Sequence, residues 1–158
     1  MERIEKSVEV NCPVRTAYNQ WTQFEDFPQF MSGVKEVKQL DDTHVHWRAE
    51  VFGKDKEWDA EIVEQVPDHR IQWRSMSPDT PNAGEVRFEP LSSDSTRVRL
   101  IMDYEPEGTL ENIGDALGVM DRRVQSTVED FKQFIENRSH ETGAWRGEVH
   151  GGEKTRPS

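Results

Sequence analysis

The sequence predicts an α+β fold: a curved antiparallel sheet of about seven strands, two short helices, and one long C-terminal helix lying over the sheet's apolar face. Three observations predict it. Between residues 34 and 105, six segments alternate apolar and polar residues, each closed by a turn signal. The connections are short, which implies an antiparallel meander. After them, residues 110–138 carry one apolar stripe at three-and-four spacing.

In chain order, residues 3–10 alternate with Ile4, Val8 and Val10 on one parity and read as the first strand, stopped by Asn11-Cys12-Pro13. Pro13 suits the first turn of a helix, and Val14, Ala17, Tyr18 and Trp21 fall at helical spacing. A second short helix over about 24–31 carries Phe24, Phe27, Phe30 and Met31, with Pro28 kinking or splitting it. Strands follow at 34–40, 43–52, 56–66, 69–76, 84–91 and 96–105. Pro67-Asp68 reads as a type I turn. The faces separate: Val45, Trp47, Ala49 and Val51 oppose His44, His46, Arg48 and Glu50. Trp58, Ala60, Ile62, Ile71, Trp73, Val86, Phe88, Val98, Leu100, Met102 and Tyr104 continue the apolar face. A sheet with one dry face must cover it.

The cover is the last helix. Thr109 is its expected N-cap, with Glu111 and Asp115 near the positive end of the dipole and Lys132 and Arg138 near the other. Its stripe is Leu110, Ile113, Leu117, Met120, Val124, Val128, Phe131 and Ile135. At 1.5 Å per residue the helix reaches roughly 43 Å, enough to cross the whole sheet. Domain organisation is one domain over 1–138 and a flexible polar tail over 139–158, in which Trp145 is anomalous because a Trp usually packs on something.

Composition narrows the function. Hydrophobic residues make up 33%. Exchanging Tyr for Gly brings that to about 38%, below the ~45–50% of typical domains, so the core is lean. A net charge of −11 argues against nucleic acid, which needs clustered Lys and Arg, and against adsorption on anionic lipid. Cys12 is the only cysteine, so no intrachain disulfide forms. The N-terminus lacks the apolar run of a signal peptide, and no stretch approaches a membrane span, so the expected location is the cytoplasm, without stable membrane insertion.

The order of elements and several local motifs resemble the polyketide cyclase/dehydrase and lipid-transport family, which has the helix-grip fold. The family is related to coenzyme Q-binding proteins and to lipid-transfer domains of the steroidogenic-acute-regulatory type. The resemblance runs over about residues 2–138. It is carried by Val8-x-Val10-x-x-Pro13, Val14-x-x-Ala17-Tyr18-x-x-Trp21, Phe24-Glu25-Asp26-Phe27-Pro28-Gln29-Phe30-Met31, and Trp58-Asp59-Ala60-Glu61-Ile62. It implies an elongated cavity between sheet and long helix, holding a lipid, quinone, sterol or polyketide. Some members cyclise or dehydrate what they hold, and fold alone does not decide function.

The expected cavity lining is Trp47, Trp58, Trp73, Phe88, Tyr104, Leu117, Met120 and Val124, with Phe27, Phe30, Met31 and Pro81 as the gate. Each aromatic could equally be plain core packing under the helix. Gly114 and Gly118 either leave room for a ligand or let helix and sheet approach closely. No catalytic constellation stands out, and no metal or cofactor is expected. Cys12 lacks a base, His44-x-His46 lies on the wet face, and Asp121 with Arg122 reads best as a surface pair. The partner that the resemblance implies is a small hydrophobic ligand. A ligand burying ~300 Å² of apolar area gains roughly 7.5 kcal/mol before association costs. Noncatalytic binding or transport is the leading reading. A polyketide cyclase, aromatase or dehydratase would need a polar residue inside the cavity, and a stress-response interaction module would have a filled core.

Overall fold

The fold is described from a computed structural model for residues 2–51, 53–105 and 110–156, with side chains of 110–115 and 156 set aside. Strand β1 (Glu2–Val10) leads into helix α1 (Val14–Trp21) and a 3₁₀ helix (Phe24–Gln29). Five strands follow: β2 (Val34–Gln39), β3 (His44–Val51), β4 (Lys54–Val66), β5 (Arg70–Ser75) and β6 (Asn82–Ser92). Then come β7 (Ser95–Tyr104), helix α2 (Leu110–Arg138), β8 (Glu148–His150) and β9 (Glu153–Arg156). The sheet order is β1-β7-β6-β5-β4-β3-β2, all antiparallel, so the first strand closes against the last strand of the meander. This is the α+β helix-grip architecture, with nine strands rather than about seven.

The period-two pattern places the inner face as expected. Val45, Ala60, Ile62, Ile71, Val86, Val98 and Leu100 are buried beneath the helices. On α2, Val124, Val128, Phe131 and Ile135 are buried, one stripe of a 29-residue helix. Thr109 lies outside the described residues, as do the side chains of Leu110, Glu111, Ile113 and Asp115 and the surroundings of Gly114. Pro13 is the N-cap of α1, one position before the expected first turn. The Phe24–Gln29 segment tolerates Pro28 because it is a 3₁₀ helix rather than a continuous α-helix.

Two local departures shape the sheet. A bulge between Ile62 and Glu64 breaks the alternation of β4, so Gln65 takes an inward position and is buried. The Val66–His69 turn has Asp68 at φ 65°, the sign of a type II turn at its third position, not of the expected type I.

The larger correction concerns residues 139–158. They do not form a flexible tail as far as residue 156. Strand β3 stops pairing with β4 at Glu61, and β8 takes over that edge, with Glu64 opposite His150 and Gln65 opposite Val149. An unpaired edge would leave backbone groups bare. Gly151 and Gly152, both at positive φ, make the two-residue turn to β9. Ahead of this hairpin the chain lies across α1. The Thr142 and Trp145 amides donate to Gln20 Oε1 at 2.9 Å and Thr22 Oγ1 at 3.1 Å. Arg146 donates to Asn19 Oδ1 at 2.6 Å, pairs with Asp68 at 2.8 Å, and stacks over the Tyr18 ring. This strap satisfies the buried amides of Asn19 and Gln20, and Trp145 packs on the core as its side chain demands.

Candidate functional site

One end of the interior is solid. Trp21 meets Phe27, Phe30 and Phe131 with ring centroids 5.3–5.4 Å apart, in tilted or edge-on arrangements. Phe30 also meets Phe131 and Phe134. Phe88 belongs to a neighbouring contact, edge-on to Tyr18 at 5.4 Å.

The other end is hollow. A cavity of about 370 Å³ lies between the sheet and α2. That is within the range of small-molecule sites, roughly 300–1,000 Å³. Its floor is a row of three indoles from adjacent strands. Trp47 of β3 and Trp58 of β4 are register partners and stack with planes 1° apart and centroids 6.1 Å apart. Trp73 of β5 continues the row at 6.3 Å from Trp47. Gly84, the register partner of Trp73 on β6, gives that indole its place: a Cβ there would overlap the ring. Leu100, Met102 and Tyr104 of β7 form one wall, and Met120, Val124 and Thr127 of α2 form the roof. The loop Pro78–Asn82 and the start of β2 border the opening.

Among the expected lining residues, Trp47, Trp58, Trp73, Tyr104, Met120 and Val124 face this cavity. Phe88 and Leu117 do not: Phe88 is taken by Tyr18, and Leu117 is half-buried against the core. Of the expected gate, Met31 and Pro81 border the cavity, whereas Phe27 and Phe30 lie in the aromatic pile. Gly118 leaves no tight approach, since a Cβ there would meet only Arg122 at an ordinary 3.5 Å.

The polar groups around the cavity are few. The indole N–H groups of Trp47 and Trp58 are buried and find no acceptor among the described residues. Burial raises the Tyr104 phenol above its ordinary pKa, with Glu2 and Asp121 adding to the shift, so the hydroxyl stays protonated at neutral pH. Lys56, Asp79, Glu105 and Arg123 are the charged lining residues. Arg123 was not singled out by the sequence. Its signal was spacing: it sits three residues after Met120 and four before Thr127, on the same helical face.

Elsewhere, the other candidates behave as surface or structural groups. Cys12 is buried, and burial raises its thiol to about 11, which leaves little thiolate for nucleophilic work. His44 contacts Asp41 at 2.9 Å, and His46 contacts Asp59 at 2.7 Å, on the outer face. Asp121 pairs with Lys6 at 3.0 Å rather than with Arg122. No cluster of three or more metal-ligating side chains occurs among the described residues. Nor is any described helix long and apolar enough to cross a membrane.

Comparison with known proteins agrees with this architecture. An uncharacterised 17.2 kDa protein from the melC2-rnhH intergenic region of Streptomyces lincolnensis is 51% identical over 149 residues, covering 94% of this chain and 99% of its own length. Among solved structures, a START superfamily protein from Mycobacterium smegmatis superposes with a TM-score of 0.73 at 16% identity, covering 86% of this chain and 98% of its own. The Zhui aromatase/cyclase from a Streptomyces species gives a TM-score of 0.73 at 16% identity, covering 90% and 98%. At such identities these two share the fold. The profile of the family described as polyketide cyclase/dehydrase and lipid transport matches residues 10–133, from the end of β1 through most of α2. On that match and that shared architecture, the chain belongs to the polyketide cyclase/dehydrase and lipid transport family.

Proposed function

We propose that this protein binds and carries a small, flat, largely apolar molecule in the cavity between its sheet and α2, without changing it chemically. The observation that carries the reading is the three-indole floor, open to a space of about 370 Å³, with the Trp47 and Trp58 N–H groups buried and finding no acceptor among the described residues. Unsatisfied buried donors cost free energy, and a ligand carbonyl or hydroxyl would satisfy them. A row of indoles favours an aromatic ligand, which can meet the rings edge-to-face or offset. A filled-core interaction module fits poorly with a space of this size.

The test is native mass spectrometry of gently purified protein, followed by organic extraction and identification of any passenger. A stoichiometric apolar passenger is expected, with stacking visible as quenched tryptophan fluorescence. An empty protein whose melting temperature ignores quinones, sterols, fatty acids and aromatic polyketides would count against the carrier reading.

One observation favours a second reading, cyclisation or dehydration of a polyketide. The protonated Tyr104 hydroxyl lines the same cavity and could donate to a substrate carbonyl. Conversion of a poly-β-keto thioester mimic, lost in Tyr104→Phe while binding persists, would support it.

A further inference from the structure

Arg123 differs from the other arginines. Arg3, Arg70, Arg74, Arg87, Arg97, Arg99 and Arg146 each reach a carboxylate within 3.7 Å. Arg15, Arg48, Arg122 and Arg138 are exposed to water. Among arginines with described side chains, Arg123 alone is half-buried without a carboxylate of the described residues within ion-pair distance. Among the described residues, the exposed Glu50 acts on it through space, without an ion-pair contact. Burial lowers the Arg123 pKa, with Glu50 opposing, so the charge is held in a site that disfavours it.

The guanidinium rests against the β2 entry turn. Gly33 closes the Met31–Val34 turn at φ 84°, and a Cβ on it would overlap the Arg123 head group. The turn needs glycine for its backbone, and the missing side chain leaves room for the Arg123 head group to rest against it. From there the side chain borders the same cavity as the three indoles. A planar guanidinium presents paired donors that match a carboxylate. The net charge of −11 repels anions in general, so a preference for one must come from a local cation such as this.

We infer that Arg123 anchors an oxyanion on the ligand: the cavity takes an amphipath whose flat apolar body lies on Trp47, Trp58 and Trp73 and whose carboxylate, or an equivalent enolate, seats on the guanidinium. This rests on the ligand-binding reading above and narrows its chemical class. Arg123 lines the cavity together with Met120 and Val124, with its head group beside Gly33.

The test compares 2-naphthoate with its neutral analogue 2-naphthalenemethanol by calorimetry and tryptophan quenching, using the full chain. Charge-assisted hydrogen bonds predict a preference for naphthoate of about ten- to a hundredfold. Arg123→Met should erase the preference while leaving the alcohol's affinity within about threefold, and Arg123→Lys should restore part of it. Circular dichroism and melting temperature establish that each variant folds. Equal binding of both probes by the parent protein overturns the inference and leaves the ligand-binding reading standing. So does an equal loss of both in Arg123→Met, which marks a structural role. If neither probe binds the parent protein, the ligand-binding reading falls, and this inference with it.

Discussion

Gly84→Ala tests whether the Trp73 indole is held where the structure puts it. The glycine is not at positive φ, so alanine meets no backbone objection, and the conflict is purely one of space. The added Cβ overlaps the six-membered ring and Nε1 side of Trp73. Strand β6 cannot retreat, since it is paired with β5 on one side and β7 on the other. The indole must therefore swing into the cavity. Overpacking of this kind costs about 1–3 kcal/mol. For a chain of this size each kcal/mol lowers Tm by roughly 2–4 °C, giving a fall of about 2–12 °C. Binding of 2-naphthalenemethanol should weaken in parallel, because the displaced ring takes the ligand's space. Trp73→Ala supplies the control, itself costing about 3–5 kcal/mol. In that background the clash is gone, so Gly84→Ala should be neutral, or stabilising by about 0.4–1 kcal/mol through reduced chain entropy. Thermal and urea unfolding of the four proteins close the cycle. A Gly84→Ala cost that is the same with and without the indole would refute the reasoning.

Two further perturbations address other parts of the molecule. His46 bonds Asp59 at 2.7 Å and approaches Glu57 at 3.3 Å; the Asp59 bond chiefly raises its pKa above 6.5, burial opposing and Glu57 assisting. Its protonated form therefore contributes stability below the unfolded pKa, and that contribution is lost as pH rises through the raised folded value. The Tm difference between the parent protein and His46→Gln should be larger near pH ~5.5 than near pH ~8, and a flat difference would remove the interaction from the account. Deleting residues 143–158 takes away Trp145, the Arg146–Asp68 pair and the fully buried Val149, and bares the end of β4. Burial of these side chains predicts a loss of roughly 3 kcal/mol or more, or ~6–12 °C in Tm. An unchanged melting curve would mean that the strap contributes nothing to the fold.

Much of this architecture is legible in the residues because period-two and period-3.6 patterns report which way side chains point. The parity of Trp47, Trp58 and Trp73, and the α2 stripe, follow from that alone. Parity does not report position along a strand. Phe88 shares the inward face with Trp73, yet it meets Tyr18 at the filled end, and nothing in the sequence marks that boundary. The bulge at Ile62–Glu64 is similarly silent, because Gln65 on an inward position looks like a break in the strand. The hairpin of β8 and β9 was readable. Glu148-Val149-His150, Gly151-Gly152 and Glu153-Lys154 is a short alternation around a Gly-Gly turn, hidden by the polar composition around it. Arg123 was masked by the run Asp121-Arg122-Arg123, whose first two members do face water.

The division of the interior into a filled and a hollow end follows from where α2 carries its large side chains. Phe131 and Phe134 reach the rings of Trp21 and Phe30 and complete the pile. Two turns earlier, the positions facing the sheet are Met120, Val124 and Thr127, and no helix aromatic descends to meet the indole row. Thr127 turns its hydroxyl to the Arg123 carbonyl at 2.9 Å and so offers the cavity little more than a methyl group. Among the described residues, the aromatic rings lining the hollow end come from the strands. Met120 is the adaptable element, an unbranched side chain that can follow the outline of a ligand at low cost. The sheet therefore lines the hollow end with indoles from β3, β4 and β5, and the helix lines it with the more yielding Met120, Val124 and Thr127.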